Sequence, residues 1–134
     1  MLLPTIHFSG NCMEAIEFYK KTVGAEVLQI ACAKDAPPEV AAQMPPSFVM
    51  HSEVKIFGTI VALTDGCEEP PSAMNFTYTV ILDTVEEVTD VFNKLAEGGR
   101  INEPLGQQFW ADLSGMATDR FGVNWNILTK TMPQ

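Results

Sequence analysis

The sequence predicts an α+β chain in which one pattern, a strand, a helix and then three strands, occurs twice. Two observations carry this. Amphipathic helices stopped by glycine begin after Asn11 and Asp83, 72 residues apart from 11 to 83. Phe57-Gly58 and Phe121-Gly122 each open an aliphatic or aromatic strand, in "FGTIVALT" and "FGVNWNILT", at an interval of 64. A chain of 134 residues, 46% hydrophobic, buries roughly two thirds of its unfolded surface and needs no staples. The expectation is a single domain over residues 1–134, with module 1 about 1–70 and module 2 about 71–134.

In module 1 the strands fall near 3–8, 26–31, 49–56 and 58–64. The helix "NCMEAIEFYKKTV" sets Cys12, Ala15, Ile16, Tyr19 and Val23 on one face, the spacing of an amphipathic helix. Asn11 is its expected cap, with Glu14 closing a capping box, and Gly24 ends it. The segment "AKDAPPEVAAQMPPS" holds four of the nine prolines and reads as a long loop, either a plain insertion or a lid. In module 2 the strands fall near 75–82, 100–105, 108–115 and 123–129. The helix "DTVEEVTDVFNKLAE" has Asp83 as expected cap, Glu86 as its partner, and Val85, Val88, Phe92 and Leu95 as the apolar stripe. Gly98 and Gly99 stop it.

Strand side chains alternate between faces. Ile6 and Phe8 oppose Thr5 and His7; Met50, Val54 and Ile56 oppose His51, Glu53 and Lys55; Phe76, Tyr78, Val80 and Leu82 oppose Asn75, Thr77 and Thr79; Trp125 and Ile127 oppose Asn124 and Asn126. One face is apolar and meets the helices, while the other is polar. Two pseudo-symmetric half-sheets with helices on their outer faces are expected to form a concave sheet around a cleft, a common place for a ligand.

The charge narrows the function classes. Seventeen acidic residues against eight basic ones give −9, with no basic cluster beyond Lys20-Lys21. Nucleic acid and anionic membrane are disfavoured, because such binding comes largely from neutralising phosphates. No stretch approaches the roughly 18 apolar residues of a membrane span, and the start has no secretory pattern; a cytoplasmic location is expected. Cys12, Cys32 and Cys67 are odd in number and widely spaced, which argues against a disulfide framework or a zinc ribbon. Cys12 falls in the first turn of a helix, where the dipole can lower a thiol's pKa; the alternative is a buried, inert role.

The stretches "FSGNCMEAIEFYKKTVGAEV", "MHSEVKIFGTIVALTDG" and "QQFWADLSGMATDRFGVNWNI" resemble PhnB-like proteins of the vicinal oxygen chelate superfamily, which includes glyoxalase I, bleomycin-resistance proteins, fosfomycin-resistance enzymes and extradiol dioxygenases. The resemblance covers nearly the whole chain and implies two tandem βαβββ modules and a homodimer. Metal-dependent relatives hold a divalent cation with His, Glu or Gln on the first and last strands of each module. Carried over, those positions fall on Asn126, on Ala62, near Leu3 or Pro4, and near Asn75 or Phe76. No full ligand set appears in any of these registers, so no metal site is expected.

The cleft candidates are Thr5, His7, His51, Thr77, Thr79, Trp110, Asn124 and Asn126. His7, His51 and Glu53 are the candidates for proton transfer, since imidazole titrates near neutral pH; surface salt bridging with Lys55 explains the His51–Glu53 pair equally well. Trp110 is either an aromatic wall for a ligand or core, Trp125 is core by alternation, and Asp119 is a turn residue. The sequence thus points to a small-molecule binder without a cofactor. Its rivals are a metal-dependent lyase, isomerase or dioxygenase, and a structural or regulatory dimer with a vestigial cleft.

Overall fold

The computed structural model describes residues 1–66 and 76–130 and divides the chain into two compact units, Met1–Pro70 and Pro71–Gln134. In the first, β1 (Thr5–Phe8), α1 (Cys12–Val23) and β2 (Glu26–Cys32) precede a 3-10 turn (Ala33–Asp35), the short helix α2 (Pro38–Ala41), β3 (Val49–Ile56) and β4 (Thr59–Asp65). In the second, β5 (Tyr78–Leu82) leads to α3 (Val85–Ala96), β6 (Arg100–Gly106), β7 (Ser114–Thr118) and β8 (Asn124–Thr129). The sheet orders are β1-β4-β3-β2 and β5-β8-β7-β6, each with a parallel pair at one edge and antiparallel pairs elsewhere. Each unit is therefore one βαβββ module, and the fold is α+β.

Apolar periodicity positions the helices. In α1, Cys12, Ala15, Ile16 and Tyr19 are buried, and the helix packs on the interior strands β3 and β4. Burial of Ile16 alone contributes about 1.5–3 kcal/mol. In α3, Val88, Phe92 and Leu95 are buried on the interior strands β7 and β8. Gly115 of β7 lets Phe92 approach: a Cβ there would lie 2.8 Å from the Phe92 ring.

Several local expectations are corrected. Asn11 precedes α1 but makes no side-chain cap. Asp65, at the end of β4, does that work: its Oδ1 accepts from the backbone N–H of Gly10 (2.9 Å) and Cys12 (3.0 Å), and its Oδ2 from that of Val49 (3.0 Å). The cap of α3 is Thr84, accepting from the Glu87 N–H at 3.1 Å, rather than Asp83 with Glu86. Asp83 instead pairs with Lys130 at 2.9 Å.

The strand expected at 108–115 forms at Ser114–Thr118. Before it the chain turns, with the Gln108 N–H donating to the Ala111 carbonyl, and Phe109 projects outward at 79% exposure. In β3, Met50 is exposed rather than core. The pairing with β2 passes from Ala31–His51 to Cys32–Val49, and this bulge releases Met50 from the alternation. Buried Ser52 takes a core position instead, its hydroxyl donating to the Leu63 carbonyl at 2.6 Å. The proline-rich segment contains the 3-10 turn and α2 rather than loop alone. The fifth strand begins at Tyr78; Asn75, expected within it, lies outside the described residues, as does Cys67.

Candidate functional site

The polar face of the first sheet presents Thr5 and His7 from β1, both exposed, while Ile6 and Phe8 are buried on the other side. Parallel pairing sets Thr5 beside Ala62 and His7 beside Thr64. The His7 Nδ1 is 2.9 Å from the Thr64 hydroxyl, and the Thr5 hydroxyl donates to the Leu3 carbonyl at 3.1 Å. On β3, His51 and Glu53 are neighbours on one face, with Nε2 to Oε2 at 3.7 Å. His7 and His51 therefore have different partners, on strands separated by β4. Among the described residues, no hydrogen bond joins His7 to the His51–Glu53 pair.

The second sheet is organised in rungs. One joins Arg100, Thr118 and Asn124 through backbone register, and its side chains are tied together. The Arg100 Nε donates to the Asn102 Oδ1 (2.9 Å), the Asn102 Nδ2 to the Thr118 hydroxyl (2.9 Å), the Thr118 hydroxyl to the Asn124 Oδ1 (2.7 Å), and the Asn124 Nδ2 to the Phe76 carbonyl (3.3 Å). Asn124 is thus committed at both ends of its amide. Sequence reasoning missed this chain because Asn102 enters it through an irregularity in the β6–β7 pairing between Ile101 and Glu103, which alternation does not reveal.

The next rung runs Thr79, Asn126, Met116, Glu103 across all four strands. Thr79 is exposed and Asn126 half-buried. Thr77, half-buried, lies just before β5. Trp110 is half-buried before β7, edge-on to exposed Phe109 with ring centres 4.8 Å apart, so it is neither full core nor an open wall. Trp125 is core, its Nε1 donating to the buried Asp119 Oδ2 at 2.9 Å. The Asp119 Oδ1 accepts from the Phe121 and Val123 N–H groups, as expected of a turn residue.

The described side chains at the carried-over positions do not make up a ligand set for a divalent ion. Ala62 has no donor side chain and is buried, and its cross-strand neighbour is a threonine. Asn126, beside Thr79, offers a neutral amide. Pro4 precedes β1 and contributes its carbonyl to the Ala62 N–H, and Phe76 carries no donor. Among the described residues, no three His, Cys, Asp or Glu side chains are grouped so as to hold a metal. Cys12 is fully buried. Burial, with lesser contributions from Asp65 and Cys32, pushes its thiol up to about 12, reversing the expected dipole effect.

Comparison with known proteins agrees with this architecture. Residues 4–127 match the Glyoxalase/Bleomycin resistance protein/Dioxygenase superfamily. The chain is 33% identical over 138 residues to Protein YjdN of Escherichia coli K12, covering 94% of this chain and 92% of that one. Among solved structures, protein PA1353 of Pseudomonas aeruginosa is similar with a TM-score of 0.82 at 29% identity, over 97% of each chain. The PhnB protein of Bacillus cereus shares the fold with a TM-score of 0.79 at 24% identity, over 96% of this chain and 98% of that one. With the repeated βαβββ modules, these matches establish that the chain belongs to the glyoxalase/bleomycin resistance protein/dioxygenase superfamily.

Proposed function

We propose that this chain binds a small organic molecule on the polar faces of its sheets and holds no catalytic metal tightly. The reading is carried by the side chains at the positions that the family resemblance assigns to a metal. Ala62 and Asn126 stand there, yet Thr5, His7, Thr79 and Asn126 still project from the faces opposite the helices. Sheet faces that carry hydrogen-bonding groups and no ligand set for an ion are suited to an organic ligand. The reading includes a homodimer working in the cytoplasm; no helix among the described residues is long and apolar enough to cross a membrane.

Two measurements test it. In a broad thermal-shift screen a ligand at a hundred times its dissociation constant adds about 2.7 kcal/mol of stability, so a saturable rise in Tm is expected for some compound class. Native mass spectrometry of untagged protein, purified without chelator or added metal, should give a dimer of bare mass or one carrying an organic adduct. One divalent metal per chain would overturn the reading and turn attention to His7, His51 and Glu53.

A further inference from the structure

We infer that Asn126 reads an uncharged carboxamide, lactam or imide group of the ligand, through a paired donor and acceptor. This rests on the binding reading above and names the chemistry it selects. Two adjacent rungs of the second sheet carry it. In the Arg100–Thr118–Asn124 rung the polar side chains are bonded to one another or to the Phe76 carbonyl. In the Thr79–Asn126–Met116–Glu103 rung the Asn126 amide makes no hydrogen bond among the described residues. Consecutive outward residues of β8 thus have different duties: Asn124 ties strands together, and Asn126 is left to meet a guest.

A primary amide presents one carbonyl acceptor and one NH2 donor side by side. Its best complement is a group with the same pair reversed, which closes two parallel hydrogen bonds. A carboxylate satisfies the NH2 but sets its second oxygen against the Asn126 carbonyl, and a ketone or ester leaves that carbonyl without a donor. The surroundings favour neutrality. Thr79, about 4.8 Å away across the parallel pair, adds a hydroxyl that can donate or accept; Met116, on the other side, is apolar; the next residue along the rung is Glu103. A negative ligand on Asn126 would lie two strands from that carboxylate, which accepts from the Gln108 Nε2 at 3.4 Å, and on a chain of net charge −9. Arg100, the nearest cation by register, is engaged through Nε with Asn102 on the neighbouring rung.

The test uses the full chain, 15N-labelled, titrated in NMR with benzamide, benzoate and acetophenone, three probes sharing one ring. Benzamide should saturably shift the Asn126 side-chain NH2 and the Thr79 and Met116 amides, at concentrations at least tenfold below the other two. Asn126→Ala should keep a folded spectrum and lose that tenfold preference. Equal or stronger shifts of these resonances by benzoate or acetophenone, or a preference that survives Asn126→Ala, would overturn the inference while leaving the binding reading intact. Silence from all three probes beside a saturable thermal-shift hit sinks the inference alone; silence in both sinks both.

Discussion

Cys12 occupies the first position of α1, where a helix dipole favours a thiolate, yet it is fully buried. Burial wins, because desolvating the charged form costs more than the dipole returns at a site also facing Asp65. Below pH 9 the thiol is protonated in both states and its contribution to stability is complete. Between 9 and about 12 the unfolded thiol ionises and the folded one does not, so stability falls as pH rises, by about 1.4 kcal/mol per pH unit. Urea melts between pH 8.5 and 10.5 should show that extra slope in the wild type and not in Cys12→Ala. Native Cys12 should also resist alkylation. Phe57 makes a second residue-scale prediction. It closes the β3–β4 hairpin with φ 48, next to Gly58 at φ 80, in a two-residue turn that asparagine followed by glycine fits better. A bulky side chain in left-handed backbone costs about 1–2 kcal/mol, so Phe57→Asn should raise stability by about 1 kcal/mol in urea melts. The Phe-Gly turn was legible from the sequence, and its sign of φ was not.

The elements were legible wherever periodicity was strong and lost wherever a distant residue decided the geometry. Both helices follow from their apolar stripes, but the cap of α1 comes from Asp65, more than fifty residues along the chain, and no local motif announces it. The repeat explains it in retrospect. Thr129, 64 residues on, stands in the equivalent place at the end of β8, and its hydroxyl accepts from the Leu113 N–H at 3.3 Å, as the Asp65 carboxylate accepts from Val49. The expected strand at 108–115 starts too early because the chain first turns, the Gln108 N–H donating to the Ala111 carbonyl, and β7 forms only at Ser114–Thr118. Asp65 joins the start of α1, the start of β3 and the end of β4, so Asp65→Ala strands three N–H groups around a buried site. With hydrogen bonds to charged groups contributing about 1.5–3 kcal/mol each, and not additively, a loss of at least about 3 kcal/mol is expected in denaturant melts. Thr84→Ala, which removes an exposed cap, should cost about 1 kcal/mol. Comparable losses would mean that Asp65 is merely a local cap.

At the scale of the whole chain, the intervals of 72 and 64 residues were enough to read the repeat, because each reports the same βαβββ connection. The polar faces were legible too, by alternation. Which of their groups are already engaged was not, since the bonds of Asn102 and Asn124 depend on register between strands distant in sequence. Charge is the other global property the sequence states outright. With 17 acidic and 8 basic residues and a sequence pI near 4.5, the protein at neutral pH repels polyanions as a whole, and at low ionic strength that repulsion extends tens of ångströms, about 30 Å at 0.01 M salt. It should flow through heparin or phosphocellulose at pH 7 in 10 mM salt and show no shift of a fluorescent duplex DNA. Lowering the pH toward 4.5 removes the net charge, and solubility should pass through a minimum there. Retention at pH 7 that fell steeply with salt would reveal a local basic surface strong enough to defeat the net charge, and would reopen nucleic acid as a partner.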